Sequence, residues 1–423
     1  MLAGQIPVST SIRLGCCVEV GMLTPDRLWA FELAFVCGLI AIYPWLVYPL
    51  LLRAAARRAR RAERPDPAQW PAITVLIAAR NEEAHIGDRV ANLLSQDYPR
   101  ERLAIVCISD ASDDETDERF REAARALGAR ATLVRQPVQM GKSAALRAGW
   151  REVRSGLVIL TDANSHFEPG TLRALARPFS DPRVGAVAGV KRIRVPEGAA
   201  AHDGGEGFYW RFEVRLRADE SELGLCQSAD GACWAIRSDL WDGSGPRGRF
   251  ADDLWGALEV ERQGYRVEAT LGAVASEDAA ASAGAEVQRK RRTHYGLILL
   301  LPYLGWMLWP RRWAALWCFL SHKVLRLLTP WMLLLHMLTL ALVGGIWASV
   351  AVLELTAGVT FIGLAATGVA ASGPLSIIGR IGYFLIALAG PALAGMDAVR
   401  AIVRRDPGKA AWQPSTYRSS QER

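Results

Sequence analysis

The sequence shows no Cys-x-x-Cys pair, no zinc-type spacing and no recognisable cleavage pattern for a leader. Its 423 residues include seven cysteines, none of which form a Cys-x-x-Cys pair or a zinc-type spacing. This argues against a disulfide-stapled or zinc-stabilised protein and favours reduced thiols in a cytosolic domain. Residues 1–27 show no cleavage pattern that would indicate a secretory signal peptide.

Charged residues are nearly absent from two long stretches. Residues 28–52 carry one charge, Glu32, and residues 327–379 carry one, Glu354. Because a helix needs about 20 apolar residues to cross a bilayer, the first stretch predicts one transmembrane helix and the second predicts two. Residues 381–396 are shorter and are a candidate for a third.

The positive charge lies beside these apolar stretches. The net charge is +7, and six arginines follow the first stretch: Arg53, Arg57, Arg58, Arg60, Arg61 and Arg64. A basic protein is often a nucleic-acid binder, but basic clusters that abut apolar runs favour contact with membrane lipids and no nucleic-acid partner. The positive-inside rule then predicts that the following residues are cytoplasmic.

The same rule conflicts with three C-terminal spans. Three crossings after a cytoplasmic region would place Arg400, Arg404, Arg405 and Lys409 outside the cell. Either the last apolar segment does not cross the bilayer, or the number of spans differs by one.

Between residues 72 and 292 the pattern alternates between strands and helices. Apolar runs predict strands at 73–79, 103–108, 131–134 and 157–160, and a helix is expected to open at Asn81. This alternation is typical of βαβ units with a largely parallel sheet. Residues 157–160 are four apolar residues in a row, which predicts a strand buried on both faces.

Polar residues follow two of these strands. Asp110 follows the second strand, and Asp162 and Asn164 follow the fourth. Ligands of open α/β sheets bind beyond the carboxyl ends of the strands. Carboxylate and amide oxygens suit a divalent cation that bridges to a diphosphate. The alternative is that Asp162 and Asn164 only form a turn.

Two further motifs lie in the same region. Gly141-Lys142-Ser143 resembles the tail of a phosphate-binding loop, but Gln136 stands where that loop needs glycine, so a Walker-type site is excluded. Lys142 at a helix N-terminus would still favour an anion, the alternative being a solvated lysine. Of Asp252 and Asp253, one is expected to cap a helix and the other to serve as a general base.

Taken together, the motifs resemble inverting family 2 glycosyltransferases. The resemblance covers about residues 73–296, with residues 321–326 as a further echo, and is greatest to the membrane-bound branch of cellulose, hyaluronan and poly-N-acetylglucosamine synthases. The motifs that carry it are residues 78–83, 109–116, 141–142, 161–164, 229–232 and 252–253.

The resemblance implies an α/β fold with a GT-A-like nucleotide-binding sheet flanked by helices, and transmembrane helices at both ends. It divides the chain into five parts. These are residues 1–64 with one transmembrane helix, a cytoplasmic glycosyltransferase domain at 65–296, interfacial helices at 297–326, two or three transmembrane helices at 327–400, and a polar tail at 401–423.

The resemblance also implies residue roles. Asp253 would be the base, with Asp252 beside it, and Asp162 and Asn164 would hold Mg²⁺ or Mn²⁺, which acts as a Lewis acid toward the leaving diphosphate. Asp230 and Gly231 would line the acceptor end. The residues implied for donor binding are Asp110, which would contact the base, Glu82, Lys142, Asp162, Arg291 and Arg292.

Two departures from the family pattern matter. Asn164 replaces the usual second aspartate, which predicts weaker metal binding. The family's Gln-x-x-Arg-Trp element lacks its aromatic residue, because Arg292 or Thr293 stands at that position, depending on the register. Arg291 or Arg292 can still pair with a diphosphate, the alternative being a basic stop beside a membrane.

Three functions follow as hypotheses. The first is a multi-pass plasma-membrane enzyme that transfers a sugar from a nucleotide-sugar, most simply a UDP-sugar, to a growing polysaccharide, with room for partner subunits that export it. The missing aromatic residue motivates the second, transfer of a single sugar to a lipid phosphate or other membrane acceptor. Asn164 motivates the third, an inactive nucleotide-sugar-binding partner.

Overall fold

The computed structural model describes residues 25–59, 64–194, 201–246, 251–278, 283–366 and 376–404. A single eight-stranded sheet lies at its centre, with the strands in the order β3-β2-β1-β4-β7-β6-β8-β5. The strands are β1 (Ile73–Ala79), β2 (Leu103–Asp110), β3 (Ala131–Gln136), β4 (Leu157–Asp162), β5 (His166–Phe167), β6 (Val184–Arg194), β7 (Trp234–Arg237) and β8 (Arg266–Asp278).

The first four strands form the parallel half of the sheet. β1 pairs in parallel with β2 and β4, and β2 pairs in parallel with β3. These strands coincide with the four that the apolar runs predict. In β4, Leu157 to Leu160 are each 3% exposed or less, so this strand is buried on both faces as expected. The other half is mixed, because β7 runs antiparallel to both β4 and β6.

Helices cover both faces of the sheet. On one face α3 (Ile86–Leu94), α4 (Thr116–Ala123) and α6 (Thr171–Ala176) bury their apolar residues in one cluster with the sheet, and α6 packs mainly against β8. On the other face lie α5 (Lys142–Trp150) and α8 (Asp252–Arg262). Two long helices, α7 (Ala201–Leu223) and α9 (Ala283–Leu300), complete the domain.

The helix expected to open at Asn81 begins five residues later, at Ile86. Asn81 has a positive φ of 54°, which a helix does not allow. Its side-chain oxygen accepts the N–H of Asp113 at 3.1 Å. Residues 81–85 are therefore a turn tied to the end of β2.

The N-terminal apolar stretch forms two helices instead of one. α1 (Pro25–Ile42) and α2 (Val47–Ala59) meet at an angle of 45°. The break includes Pro44, as the sequence predicts for a helix kinked by proline. α1 packs against α11 (Leu325–Val343), where Arg27 donates to the Val343 carbonyl at 2.8 Å. α2 packs instead against α7, and Tyr48 is buried there.

Three C-terminal segments are long and apolar enough to cross a membrane: Pro310–Val343, Gly345–Gly363 and Arg380–Val403. The bent α1–α2 pair would be a fourth. The helices in these segments are α10 (Trp313–Phe319), α11, α12 (Gly345–Ala366) and α13 (Ser376–Arg404). A π-helical turn at Leu320–Val324 joins α10 to α11.

The last of these helices lies along the sheet domain. Tyr383 near the start of α13 donates to Glu286 of α9 at 3.0 Å, and Asp397 near its end accepts from Arg291 of α9 at 2.6 Å. Fourteen helical residues rise about 21 Å. Both ends of α13 nevertheless bond to one short section of α9. Two side-chain contacts thus hold α13 against α9 of the sheet domain.

Candidate active site

The carboxyl ends of β1, β2 and β4 open into a small cavity of about 110 Å³. Parallel strands end at the same edge of a sheet, so residues that follow them are brought together. The residues that line this cavity include Glu82, Asp110, Lys142, Asp162, Asn164 and Arg292. Six of the residues that the resemblance assigns to the donor or the metal thus surround one space.

Asp110 shapes one wall of this cavity. Its side chain is 3% exposed, and its two carboxylate oxygens accept the backbone N–H groups of Met140 at 2.7 Å and Gly141 at 2.8 Å. Gly141 has a φ of 89°, a conformation that favours glycine. Asp110 therefore fixes the turn that starts α5 and places Lys142, and each oxygen keeps a lone pair for a ligand.

Lys142 lies between two acids at the centre of the site. Its ammonium group is 2.8 Å from Asp162 Oδ1 and 3.6 Å from Asp252 Oδ2. Burial lowers the pKa of Lys142, but the two carboxylates outweigh this and the net direction is upward. Burial likewise raises the pKa of Asp162, but the Lys142 charge outweighs it and holds that pKa below its ordinary value. Lys142 is thus a fixed cation, not a solvated one.

The donor set suits a metal that is shared with a substrate. Asp162 and Asn164 line the same cavity, as a pair of oxygen ligands would. Among the described residues, no three His, Cys, Asp or Glu side chains are grouped so that they could hold a metal ion alone. Mg²⁺ is commonly held by one or two carboxylates plus substrate phosphates, so this arrangement fits such an ion.

Glu82 adds a titrating group beside Asp162. Burial raises its pKa to about 7, and the charges of Asp162 and Asp114 add to the effect. The backbone N–H of Glu82 donates to Thr116 Oγ1 at 2.8 Å, which ties the turn to the start of α4. A carboxyl group with this pKa can either donate or accept a hydrogen bond near neutral pH.

Asp253 is held at the start of α8. Its Oδ1 accepts the N–H of Leu254 at 2.9 Å and its Oδ2 accepts that of Gly231 at 3.2 Å. Burial, followed by the charges of Asp252 and Asp230, raises its pKa to about 6. The expectation that one acid is the N-cap of α8 is wrong, because Ala251 holds that position and both acids lie in the first turn. Both acids are therefore free to face the cavity.

The 229–232 turn faces Asp253 and Lys142. Asp230 is buried, lies 3.5 Å from the Arg217 guanidinium and accepts the N–H of Ala232 at 3.2 Å. At Gly231, an added Cβ would lie 3.3 Å from the Lys142 ammonium and 3.8 Å from Asp253 Oδ2. A glycine thus lets the backbone approach both groups closely.

The two candidate arginines of α9, Arg291 and Arg292, face different parts of the structure. Arg292 lines the cavity and lowers the pKa of Asp162 by its charge. Arg291 forms a bidentate pair with Asp397 of α13 at 2.6 and 2.7 Å and lines neither cavity described here. The prediction that Arg291 lines the donor site is therefore wrong. Successive residues of a helix point about 100° apart, so only one of the pair can face the sheet.

A larger cavity of about 620 Å³ opens beside the small one. It shares Lys142, Asp162 and Arg292 with the small cavity, and Asp230, Asp252 and Asp253 also line it. Several lining residues were not predicted from sequence: Lys191, Tyr209, Trp210, Glu213, Arg217, His322, Lys323 and Arg326. The last three lie in the 321–326 echo, where charges inside an apolar segment are a signal of function.

Comparisons with known proteins agree with this geometry. The model of the family described as "Glycosyltransferase like family 2" matches residues 71–296. A mannosyltransferase, PcManGT from Pyrobaculum calidifontis, solved with GDP-Man and Mn²⁺, superposes with a TM-score of 0.65 at 25% identity over 85% of this chain and 97% of that one. This likeness confirms the expected GT-A-like fold.

Curated relatives match over shorter stretches. The probable glycosyltransferase YdaM of Bacillus subtilis is 28% identical over 38% of this chain and 40% of its own length. The beta-monoglucosyldiacylglycerol synthase of Synechocystis is 31% identical over 29% of this chain and 26% of its own length. The chain thus spans less than half the length of these relatives.

Proposed function

Because the chain belongs to the glycosyltransferase-like family 2, we propose that it transfers a sugar, with inversion, from a nucleotide-sugar to a hydroxyl group of a membrane acceptor. One observation carries this proposal above the others. Asp110, Asp162 and Asp253 come from separate strand ends and a helix start, and they surround two adjoining cavities that share Lys142.

The donor occupies the smaller cavity in this proposal. The nucleotide lies against Asp110 and Glu82, and its diphosphate lies near Lys142 and Arg292, whose positive charges favour it. Asp162 and Asn164 would hold a divalent ion, which when bound would stabilise the leaving diphosphate as a Lewis acid. A UDP-sugar is the simplest donor, and a panel of nucleotide-sugars distinguishes it from others.

Asp253 removes the proton from the acceptor hydroxyl. The freed oxygen forms a bond to the anomeric carbon, the bond from that carbon to the diphosphate oxygen breaks, and the nucleoside diphosphate leaves with the electron pair. A pKa of about 6 suits this role, because the carboxylate is mostly ionised at neutral pH yet remains basic enough to accept a proton.

The acceptor occupies the larger cavity. That cavity reaches His322, Lys323 and Arg326, which lie in a segment long and apolar enough to cross a membrane. This supports an acceptor that arrives from the bilayer. The relative that synthesises beta-monoglucosyldiacylglycerol is named for a lipid product, which agrees with the proposal.

Polysaccharide synthesis is the second candidate. Tyr209 and Trp210 of α7 line the larger cavity and provide aromatic surface that the altered α9 element does not. Cations already cover these rings, since Lys290 lies 3.5 Å from the Tyr209 centroid and Arg289 lies 5.4 Å from that of Trp210. Product length decides between the two: a polymer supports this candidate, and a single-sugar lipid supports the first.

We place the sheet domain in the cytoplasm, with α1, α11 and α12 as crossings and α13 along the membrane surface. Arg53, Arg57 and Arg58 at the end of α2 support this side by the positive-inside rule. A fluorescent protein fused to the C-terminus should fold and fluoresce, and an alkaline phosphatase fused there should be inactive. The reverse pattern would refute this topology.

The base assignment is tested by Asp253→Asn in purified full-length protein. Asparagine keeps the shape of the side chain but cannot accept the proton, so we expect kcat for nucleoside-diphosphate release to fall by about 10² to 10⁴-fold. Glu259→Gln, near the end of the same helix and outside both cavities, is the matched control and should retain full activity. Full activity of the Asp253 variant would refute the assignment.

A further inference from the structure

Lys323 stands out among the residues that line the larger cavity. Its ammonium group donates to Ser228 Oγ at 3.0 Å and lies 3.4 Å from His322 Nε2. Among the described residues, no carboxylate lies within 4 Å of it. Lys323 is therefore a cation in the cavity wall, and its direct contacts are a serine hydroxyl and a histidine ring.

The acids near Lys323 are already engaged. Glu220 contacts His322 Nδ1 at 2.6 Å, and Glu213 contacts His322 Nε2 at 3.1 Å. Glu213 also forms an ion pair with Arg326. These two carboxylates thus make their direct contacts with a histidine and an arginine, and neither lies within 4 Å of the Lys323 ammonium group.

The position of Lys323 in the chain supports a functional role for this residue. Lys323 lies in Pro310–Val343, one of the candidate spans. Ionisable residues in such segments are rare and mostly serve substrates or ions.

A second cation faces the same space. Arg217 of α7 is 4% exposed and lines the larger cavity. One of its terminal nitrogens lies 3.5 Å from Asp230 and makes no hydrogen bond in the structure. Arg217 therefore has a buried donor available for an incoming oxygen atom.

Both cations are connected to the candidate base. Ser228, which accepts from Lys323, is followed by Ala229, whose N–H donates to the carbonyl of Asp253 at 3.2 Å. Asp230, the partner of Arg217, raises the pKa of Asp253 by its charge. An anion held by Lys323 and Arg217 would therefore lie within one headgroup's reach of the hydroxyl that Asp253 deprotonates.

We propose that Lys323 and Arg217 bind the phosphodiester of a lipid acceptor whose headgroup also carries the attacking hydroxyl. This inference rests on the proposed function and names its acceptor class. Lys323, a single cation with no carboxylate of the described residues within 4 Å, matches the single negative charge of a phosphodiester better than the charge of a phosphomonoester, about −1.5 to −2. Leu254, Leu297 and Leu299 line the same cavity and give the lipid an apolar wall.

The phosphodiester itself does not react. Asp253 takes the hydroxyl proton, the hydroxyl oxygen bonds to the anomeric carbon, and the nucleoside diphosphate departs. The donor's own diphosphate is the other source of an anion for Lys323. Lys323 does not line the small cavity between Asp110 and Asp162, which favours the acceptor as the source.

The test uses full-length protein in neutral vesicles doped with one candidate acceptor. The three acceptors are diacylglycerol, which is uncharged, phosphatidylglycerol, which is a phosphodiester with free hydroxyls, and a polyisoprenyl phosphate, which is a monoester. We expect the sugar to be transferred to the phosphodiester lipid. Lys323→Met should raise the KM for that lipid about tenfold without changing the KM for the donor, and Lys323→Arg should restore most of the affinity.

Arg311→Met is the matched control, because Arg311 is an exposed cation in the same segment and lines neither cavity. It should leave both KM values unchanged. Nucleoside-diphosphate titration of the Lys323→Met protein checks that the donor site is folded.

Several results would overturn the inference. A rise in donor KM for Lys323→Met would assign the cation to the diphosphate. Equal use of diacylglycerol and phosphatidylglycerol by the wild type, with an unchanged lipid KM in Lys323→Met, would exclude an anion site, and sugar attached to the phosphate oxygen of the monoester would exclude a separate hydroxyl. These outcomes leave the proposed function intact, whereas no turnover of any nucleotide-sugar by wild type would refute both.

Discussion

The two ends of the site are built in different ways. The acids of the donor end lie at or just after the ends of β1, β2 and β4, so backbone pairing in a parallel sheet fixes their positions. The acceptor end is formed by helices that are far apart in sequence. For example, Glu213 of α7 and His322 are in contact although they are 109 residues apart. The donor end should therefore respond to single substitutions through charge, and the acceptor end through packing and lipid affinity.

The largest loss of activity at the donor end is expected on substitution of Asp162. Asp162→Asn removes the carboxylate that holds Lys142 and is proposed to hold the metal. Loss of one preorganised charge at a developing diphosphate costs about 10² to 10³-fold in kcat, and we expect a fall of that size. The stimulation by Mg²⁺ or Mn²⁺ should weaken in the same variant, measured as nucleoside-diphosphate release against metal concentration.

Asn164→Asp is the companion change at the same metal site. A carboxylate in place of an amide adds negative charge, so half-maximal stimulation should occur at a lower metal concentration. If neither variant alters the metal dependence, the cation is bound elsewhere and the donor end is not organised by these two residues.

An intermediate effect is expected from the adjacent arginines of α9. Arg292→Met removes a cation from the donor cavity and should raise the donor KM about tenfold. Arg291→Met should leave the donor KM unchanged, because Arg291 pairs with Asp397 instead. This pair is partly exposed and contributes about 1 kcal/mol or less to folding, so Tm should fall only slightly. Equal kinetic effects of the two changes would show that the assigned helix face is wrong.

Local pattern was sufficient for the donor end. Asp110 and Asp162 each follow an apolar run, and the rule that ligands bind at strand ends needs no tertiary information. Choosing between Arg291 and Arg292 required knowledge of how α9 is rotated about its axis. The contact of Arg291 with Asp397 of α13 fixes that rotation. The sequence contains no local signal for that contact, because the partners are 106 residues apart.

The acceptor end and the last helix could be predicted less well. Residues 321–326 were a further echo of the family pattern with no assigned role, and the partners of His322, Glu213 and Glu220, belong to α7, about 100 residues away. The proposed position of α13 along the membrane surface, beside α9, would place Arg400 on the side of the sheet domain and so remove the conflict with the positive-inside rule. Arg405 and Lys409 lie outside the described residues. Hydropathy alone cannot distinguish a helix that crosses a bilayer from one that lies along it.

The smallest effect is a shift in pH dependence at the boundary between the two ends. Asp253 must be ionised to act as a base, and its pKa is about 6, so kcat/KM should fall as pH drops through that value. After burial, the Asp252 charge is the next largest cause of the raised pKa. Asp252→Asn removes this like charge and so lowers the pKa of Asp253. The acidic limb of the profile of kcat/KM against pH should therefore move to lower pH by up to about one unit. Glu259→Gln, farther along α8, should leave the limb in place.

If the limb stays fixed in the Asp252 variant, the titrating group belongs to the donor end, where Glu82 has a pKa of about 7. The pH profile then reports donor binding and not deprotonation of the acceptor.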